Sequence, residues 1–120
     1  MKIIVYNSSD QYALSRKQIE KIKEALPNEY FEPIQEFHLT HSMRGSERFE
    51  YLKEEKQAHF CYPVEQKSKG TTDEAVSELL LGLVRIKSNT KWGHPLSRIE
   101  REGYMGFIEM WHSKCLSEIS

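Results

Sequence analysis

Apolar and polar positions in the first forty residues follow first the period of a strand, then that of a helix. Residues 2–6 form a short apolar run that predicts a buried strand. A helix is predicted between Ser15, as its cap, and Pro27, because apolar residues recur there at helical spacing. Alternation over residues 37–41 predicts a half-buried second strand, parallel to the first if the two are neighbours.

The middle of the chain holds one ambiguous segment and one clear strand. Within residues 47–57, Phe49 and Tyr51 alternate as in a strand, but the dense Glu and Lys content favours a helix, which we expect. Residues 58–64 predict a strand that ends near Pro63. Turns or loops are predicted at residues 7–10, 42–46, 65–70 and 88–95.

Two amphipathic helices are predicted in the C-terminal part. The first spans residues 72–88, begins at a Thr-x-x-Glu capping box that starts at Thr71, and has the widest apolar stripe of the chain. The second is capped by Ser97, which begins a Ser-x-x-Glu box, and runs to about Leu116. Its apolar face is formed by Tyr104, Phe107, Ile108, Trp111 and Cys115.

Gly103 and Gly106 lie on a neighbouring face of the last helix. Each glycine destabilises a helix by about 1 kcal/mol relative to alanine. We expect this loss to be offset by close approach of another backbone, that of the helix over residues 72–88.

Together these elements predict an α+β fold in one domain, residues 1–120. We expect a small mixed sheet of three or four strands, packed by an N-terminal helix and two longer C-terminal helices. The composition is 38% hydrophobic and 29% charged, with a mean hydropathy of −0.66. These values indicate a modest core and are well short of a disordered composition.

Charge and cysteine content narrow the function classes. The net charge is −1, from 17 basic and 18 acidic residues, so no global field favours a polyanion or an acidic membrane. No segment approaches the roughly 18 apolar residues of a membrane span. The first residues are too briefly apolar for a signal peptide, and two cysteines do not make a secreted disulfide scaffold. We therefore expect a soluble cytoplasmic protein with reduced thiols and no membrane partner.

The common catalytic motifs are absent from the sequence. It contains no Gly-rich phosphate loop, no Gly-x-Ser-x-Gly elbow and no Cys-x-x-Cys pair. The opening strand, the helix ending in Leu26-Pro27 and the second strand resemble the start of small zincin-like domains. The His-Glu-x-x-His metal motif of that group is missing, and we carry no function over from the resemblance. The absence of these motifs favours a protein that is not an enzyme and that needs no cofactor other than zinc.

Four residues form a candidate zinc site. His59 and Cys61 share a face of the predicted strand, and His112 and Cys115 share a face of the last helix. Two such pairs supply the ligands of a tetrahedral Cys2His2 site. The alternative is that both cysteines are core residues chosen for packing.

A basic segment is a candidate anion or RNA site. No acidic residue occurs between Glu78 and Glu100, and cations there accompany an aromatic side chain that can stack on a base. The alternative is that the cations near residue 88 complement the helix dipole. The candidate set is Arg85, Lys87, Lys91, Trp92, His94 and Arg98.

The function we favour from the sequence is a non-catalytic interaction or regulatory domain that binds a protein partner or itself. Met105 and Met110 add apolar surface outside the main stripe of the last helix. They are the candidate partner surface, and a homodimer is one form that it predicts.

Overall fold

The computed structural model describes residues 1–6, 11–41 and 47–120. Within these ranges the chain forms four strands, three α-helices and a short 3-10 turn at Asn28–Tyr30. The predicted α+β class, with an N-terminal helix and two longer C-terminal helices, is confirmed. The predicted turn at 7–10 and loop at 42–46 lie outside the described residues. The elements in chain order are β1 (Lys2–Val5), α1 (Arg16–Ala25), β2 (Glu36–Leu39), β3 (Phe49–Leu52), β4 (Gln57–Phe60), α2 (Lys69–Ser88) and α3 (Arg98–Ile119).

The strands of the described chain form one mixed sheet in the order β1-β2-β4-β3. β1, β2 and β4 are parallel neighbours, and β3 runs antiparallel to β4 at the edge. The parallel pairing of β1 with β2 is what the strand–helix–strand pattern predicted. In-register pairs across β2 and β4 are Glu36 with Gln57, Phe37 with Ala58 and His38 with His59.

The helix expected over residues 47–57 is wrong. This segment contains β3 and a tight turn into β4, with a left-handed φ of 54° at Lys56. Phe49 and Tyr51 alternate onto the buried face, where they lie opposite Phe60 and Ala58 of β4. The charged residues that favoured a helix lie in the exposed turn and in the polar positions of the strand, so charge content misled the prediction.

Both C-terminal helices are longer than predicted. α2 begins at Lys69 because Ser68 caps it: the Ser68 Oγ accepts the Thr71 backbone N–H at 3.3 Å, and the Ser68 N–H donates to Thr71 Oγ1 at 3.0 Å. The predicted box beginning at Thr71 therefore lies inside the helix. The predicted cap of α3 at Ser97 is confirmed, and the helix continues to Ile119. Within the described chain, neither helix is apolar enough over its length to cross a membrane.

The core lies between one face of the sheet and the three helices. Its fully buried side chains include Phe37, Phe60, Ile19, Leu79 and Cys115. Because strand side chains alternate, the polar residues of β2 and β4 lie on the opposite face of the sheet.

The close backbone approach predicted at Gly103 and Gly106 occurs at Gly82 instead. A Cβ on Gly82 would lie 2.3 Å from the Phe49 ring, so α2 approaches β3 only because that atom is missing. A Cβ on Gly103 or Gly106 would meet no atom of the described chain within 4 Å, beyond its own backbone surroundings. The expected packing of these two glycines against α2 is therefore wrong.

Candidate functional site

The structure does not bring the four predicted zinc ligands together. His59 stacks on His38 with ring centroids 4.4 Å apart, whereas the His112 Nε2 donates to the Asp73 carbonyl oxygen at 2.8 Å. Cys115, on the inner face of α3, is completely buried in the core. Over residues 1–6, 11–41 and 47–120, no three or more His, Cys, Asp or Glu side chains are placed to hold a metal ion.

The two cysteine thiols also lack the environment of reactive sulfur. Burial raises the pKa of Cys115 to about 11. Burial likewise raises the pKa of Cys61, although Thr40 and Arg48 act in the opposite direction. The thiolate is both the metal ligand and the nucleophile, and a raised pKa disfavours it. The packing alternative for Cys115 accounts for its position.

Arg85, the first residue of the predicted basic site, is a structural anchor. Only 4% of it is exposed. Its Nη1 donates to Glu47 at 3.0 Å and its Nη2 donates to the Lys91 carbonyl oxygen at 2.7 Å. The guanidinium also lies 4.2 Å from the centre of the Trp92 ring. These contacts tie α2 to the residues just before β3 and to the loop before α3, and they leave Trp92 packed rather than presented to a base.

The remaining cations of the basic segment do not form one unpaired surface. Lys87 Nζ lies 2.7 Å from Glu29 Oε1, in the 3-10 turn. Arg98 pairs with Glu102 four residues along α3, at 3.1 Å, and both side chains are largely exposed. Lys91 and His94 are exposed in the loop before α3. Arg85, Lys87 and Arg98 are thus paired with three separate carboxylates.

The predicted partner surface on α3 is also divided. Met105 and Met110 are exposed at 42% and 70%. Five residues apart on a helix, they point about 140° away from each other. A different set of exposed residues lies in line with Met110 at alternating spacings of four and three. This set, the α3 stripe, consists of Ile99, Gly103, Gly106, Met110, Ser113 and Ser117.

A polar network on the sheet was missed by the sequence analysis. Glu36 accepts from the His38 Nε2 at 3.0 Å and from the Gln57 Nε2 at 3.1 Å, and the His59 Nε2 donates to the Gln57 Oε1 at 3.2 Å. Because Nε2 of His38 donates, its Nδ1 accepts from the Tyr6 hydroxyl, 2.8 Å away, when the imidazole is neutral. The available signal was the repeat of polar residues two apart in both strands, which places them on one face.

The stacked imidazole of His38 disfavours charge on His59. Burial lowers the pKa of His59, the neighbouring His38 lowers it further, and Glu36 partly opposes both. The hydrogen bonds from Tyr6 and to Glu36 fix the orientation of the His38 imidazole. Both ring nitrogens of His38 are already hydrogen-bonded within the network. The network is therefore explained by its role in linking the strands of the sheet.

Similarity to known proteins does not assign a family to this chain. No protein-family model, curated protein or solved structure gives a significant match.

Proposed function

We propose that this protein is a non-catalytic interaction domain that pairs with a second copy of itself through the α3 stripe. The observation that carries the proposal is the exposure of Ile99 and Met110, at 81% and 70%, on a strip otherwise made of glycine and serine. Alternating spacings of four and three are those of helices that pack along a shared seam. The opposite side of α3 is used within the fold, where Ile108 and Cys115 are buried.

The glycines of the stripe support contact with a second molecule. Gly103 and Gly106 each destabilise α3 by about 1 kcal/mol relative to alanine. No contact in the described chain offsets this loss, because a Cβ at either position would lie in open space. A helix packed against the stripe would use that space, since glycine lets two backbones approach closely.

The order of large and small residues along the stripe favours an antiparallel second copy. Consider an antiparallel pair whose two-fold axis crosses the stripe at the level of residue 108. Met110 then lies opposite Gly106 of the second copy. Ile99 then lies opposite Ser117, and Gly103 lies opposite Ser113. Each large side chain thus meets a small one, and the two-fold axis repeats every contact. A parallel pair would instead place Met110 against Met110.

We expect the pairing to be of modest strength and to occur in the cytoplasm. One helix pair buries an area at the low end of specific interfaces, which is typical of reversible association. Both cysteines of the described chain are free thiols, as a reducing compartment favours.

Sedimentation equilibrium tests the proposal over about 10 µM to 1 mM, the range in which small interfaces associate. The wild-type chain should shift from monomer to dimer as its concentration rises. Gly106→Gln fills the space opposite Met110 with a good helix former, and it should weaken association by about tenfold or more. Glu118→Gln is the matched control, because it lies on the exposed side of α3 but outside the stripe.

Two results would contradict this function. One is a wild-type chain that stays monomeric over the whole range. The other is a dimer whose strength is the same in Gly106→Gln and Glu118→Gln, since that dimer would use another surface. Circular dichroism of each variant confirms that α3 is intact, and Gly106→Gln should not unfold it because glutamine favours a helix more than glycine does.

A further inference from the structure

A cleft lies between β3, α2 and the start of α3, on a part of the molecule separate from the α3 stripe. Its volume is about 260 Å³, slightly below the range of pockets for drug-sized molecules. Phe49 and Gly82 line it where β3 and α2 touch, and Leu96 adds an apolar wall from the loop before α3. The cleft is therefore suited to a small ligand.

The charged side chains of this cleft divide into a closed pair and an open group. Glu47 and Arg85 are bonded to each other at 3.0 Å and neutralise each other. The open group consists of Arg48, Glu78 and Arg101. The cleft that these residues line is called the arginine cleft. The two guanidinium groups and one carboxylate of the open group have a net charge of +1 at neutral pH when Glu78 is ionised.

Arg101 makes one long ion pair, with Glu78, and no carboxylate of the described residues is paired with Arg48. The Arg101 Nη1 lies 3.9 Å from Glu78, beyond hydrogen-bonding distance. The face of Arg48 covers the Tyr62 ring at 4.3 Å, a contact that leaves the N–H groups at its edge available. Arginine presents paired N–H donors that match the oxygens of a phosphate group.

Glu78 lies among these cations as a largely buried carboxyl, with 23% of its side chain exposed. Burial raises its pKa, and the nearby Arg101, Arg48 and Arg85 act in the opposite direction. A perturbed carboxyl in a cleft is a common mark of a functional site. At this position it can accept a hydrogen bond from a ligand or share a proton with it.

We propose that the arginine cleft binds a phosphate group that carries a proton. Arg48 and Arg101 hold the charged oxygens, and Glu78 accepts a hydrogen bond from the P–OH group. Sulfate has a similar shape and charge but carries no proton near neutral pH. When Glu78 is ionised, sulfate therefore leaves its carboxylate facing an oxygen without a hydrogen between them, and the cleft should reject sulfate. The proposal is independent of the pairing of α3.

Isothermal titration with inorganic phosphate and with sulfate, at about pH 6 and matched ionic strength, tests the proposal. The wild-type chain should prefer phosphate by about tenfold or more, the range of a charge-assisted hydrogen bond. Arg48→Gln and Arg101→Gln should each weaken phosphate binding by a similar factor. Glu78→Gln should remove the preference, because its amide N–H can donate to sulfate.

The control is Arg98→Gln, which removes an exposed cation three residues from Arg101 and does not line the cleft. It should leave phosphate binding unchanged. Equal binding of phosphate and sulfate by the wild-type chain, or an unchanged preference in Glu78→Gln, overturns the proposal. So does an equal loss in Arg98→Gln and Arg101→Gln, since that result indicates attraction by charge alone. Undetectable phosphate binding by the folded wild-type chain also overturns it.

Phenyl phosphate distinguishes the two sources of a protonated phosphate group. Near pH 6 a monoester retains part of its second proton, so it can make the same contact with Glu78. Tighter binding than inorganic phosphate would assign the site to a monoester whose apolar part lies on Phe49 and Leu96. Weaker binding would assign it to free phosphate.

Discussion

At the scale of single residues, Gly82 has more effect on the architecture than its size indicates. It is buried in α2, and the Phe49 ring occupies the place where a side chain would begin. The same contact lines one side of the arginine cleft. The absence of one carbon atom therefore sets both the packing of α2 on β3 and the shape of the cleft.

Gly82→Ala should destabilise the protein by about 1–3 kcal/mol, the usual effect of overpacking a core. The clash involves the base of the Phe49 ring, which cannot move without moving β3. Urea denaturation measures the change. Gly103→Ala is the matched control and should stabilise the chain by up to about 1 kcal/mol, because its new methyl group meets open space and favours the helix. Equal stabilities of the two variants would show that α2 does not pack this closely.

At the scale of elements, the boundaries depend on how backbone donors are satisfied at helix ends. α2 begins where Ser68 and Thr71 exchange hydrogen bonds, three residues before the box that the sequence pattern favoured. Both boxes fit a capping pattern, but only the earlier one places residues 69–71 in the helix. The earlier start extends α2 to 20 residues.

Ser68→Ala should lower the stability of the protein by about 1 kcal/mol, as the loss of an N-cap does. The N–H groups of the first turn would lose the side-chain oxygen that accepts from them. Glu74→Gln, which alters the later box, should change stability by less than about 0.5 kcal/mol. Thermal denaturation of both variants measures the difference, and a larger effect of Glu74→Gln would contradict the assigned start of α2.

At the scale of the whole molecule, the two faces of the sheet have different roles. One face supports the core together with three helices, and the other carries the hydrogen-bonded network of Glu36, His38, Gln57 and His59. Because the network links β2 with β4, its charge state affects the stability of the folded chain as a whole.

The stability of the protein should fall as the pH drops below about 6.5, the ordinary pKa of histidine. The pKa of His59 is lowered in the folded chain by burial and by His38, so the unfolded chain binds its proton more readily. Stability from this group is therefore complete above the unfolded pKa and is lost as the pH falls through the folded pKa. Glu78 acts with the opposite sign, since its raised pKa favours the folded chain on acidification.

Urea midpoints between about pH 5 and pH 7.5 test this dependence, because the window spans the ordinary histidine pKa. His59→Gln should remove the part of the acid-side loss that belongs to His59, whereas His94→Gln, in an exposed loop, should keep the wild-type slope. An identical slope in wild type and His59→Gln would contradict the assignment.

The candidate sites were less predictable than the elements. Arg85 and Trp92 were found as a cation and an aromatic in an acid-free window, but the pattern could not show that Glu47, 38 residues away, is bonded to Arg85. The arginine cleft gathers Arg48, Glu78 and Arg101 from three distant segments, and no spacing along the chain connects them. Contacts between distant segments depend on three-dimensional packing, which a linear pattern does not contain.

The amino-acid sequence by itself determined the class of the fold, the cap of α1 at Ser15, the cap of α3 at Ser97 and the buried face of α3. These features depend on the periods of a helix or strand and on hydrogen bonds within a few residues. Only the tertiary structure decided that residues 47–57 form a strand and a turn, because pairing of Phe49 with Phe60 outweighs local preference for a helix. The tertiary structure also decided which charged side chains are closely paired, because pairing depends on burial and on the position of a partner from a distant segment.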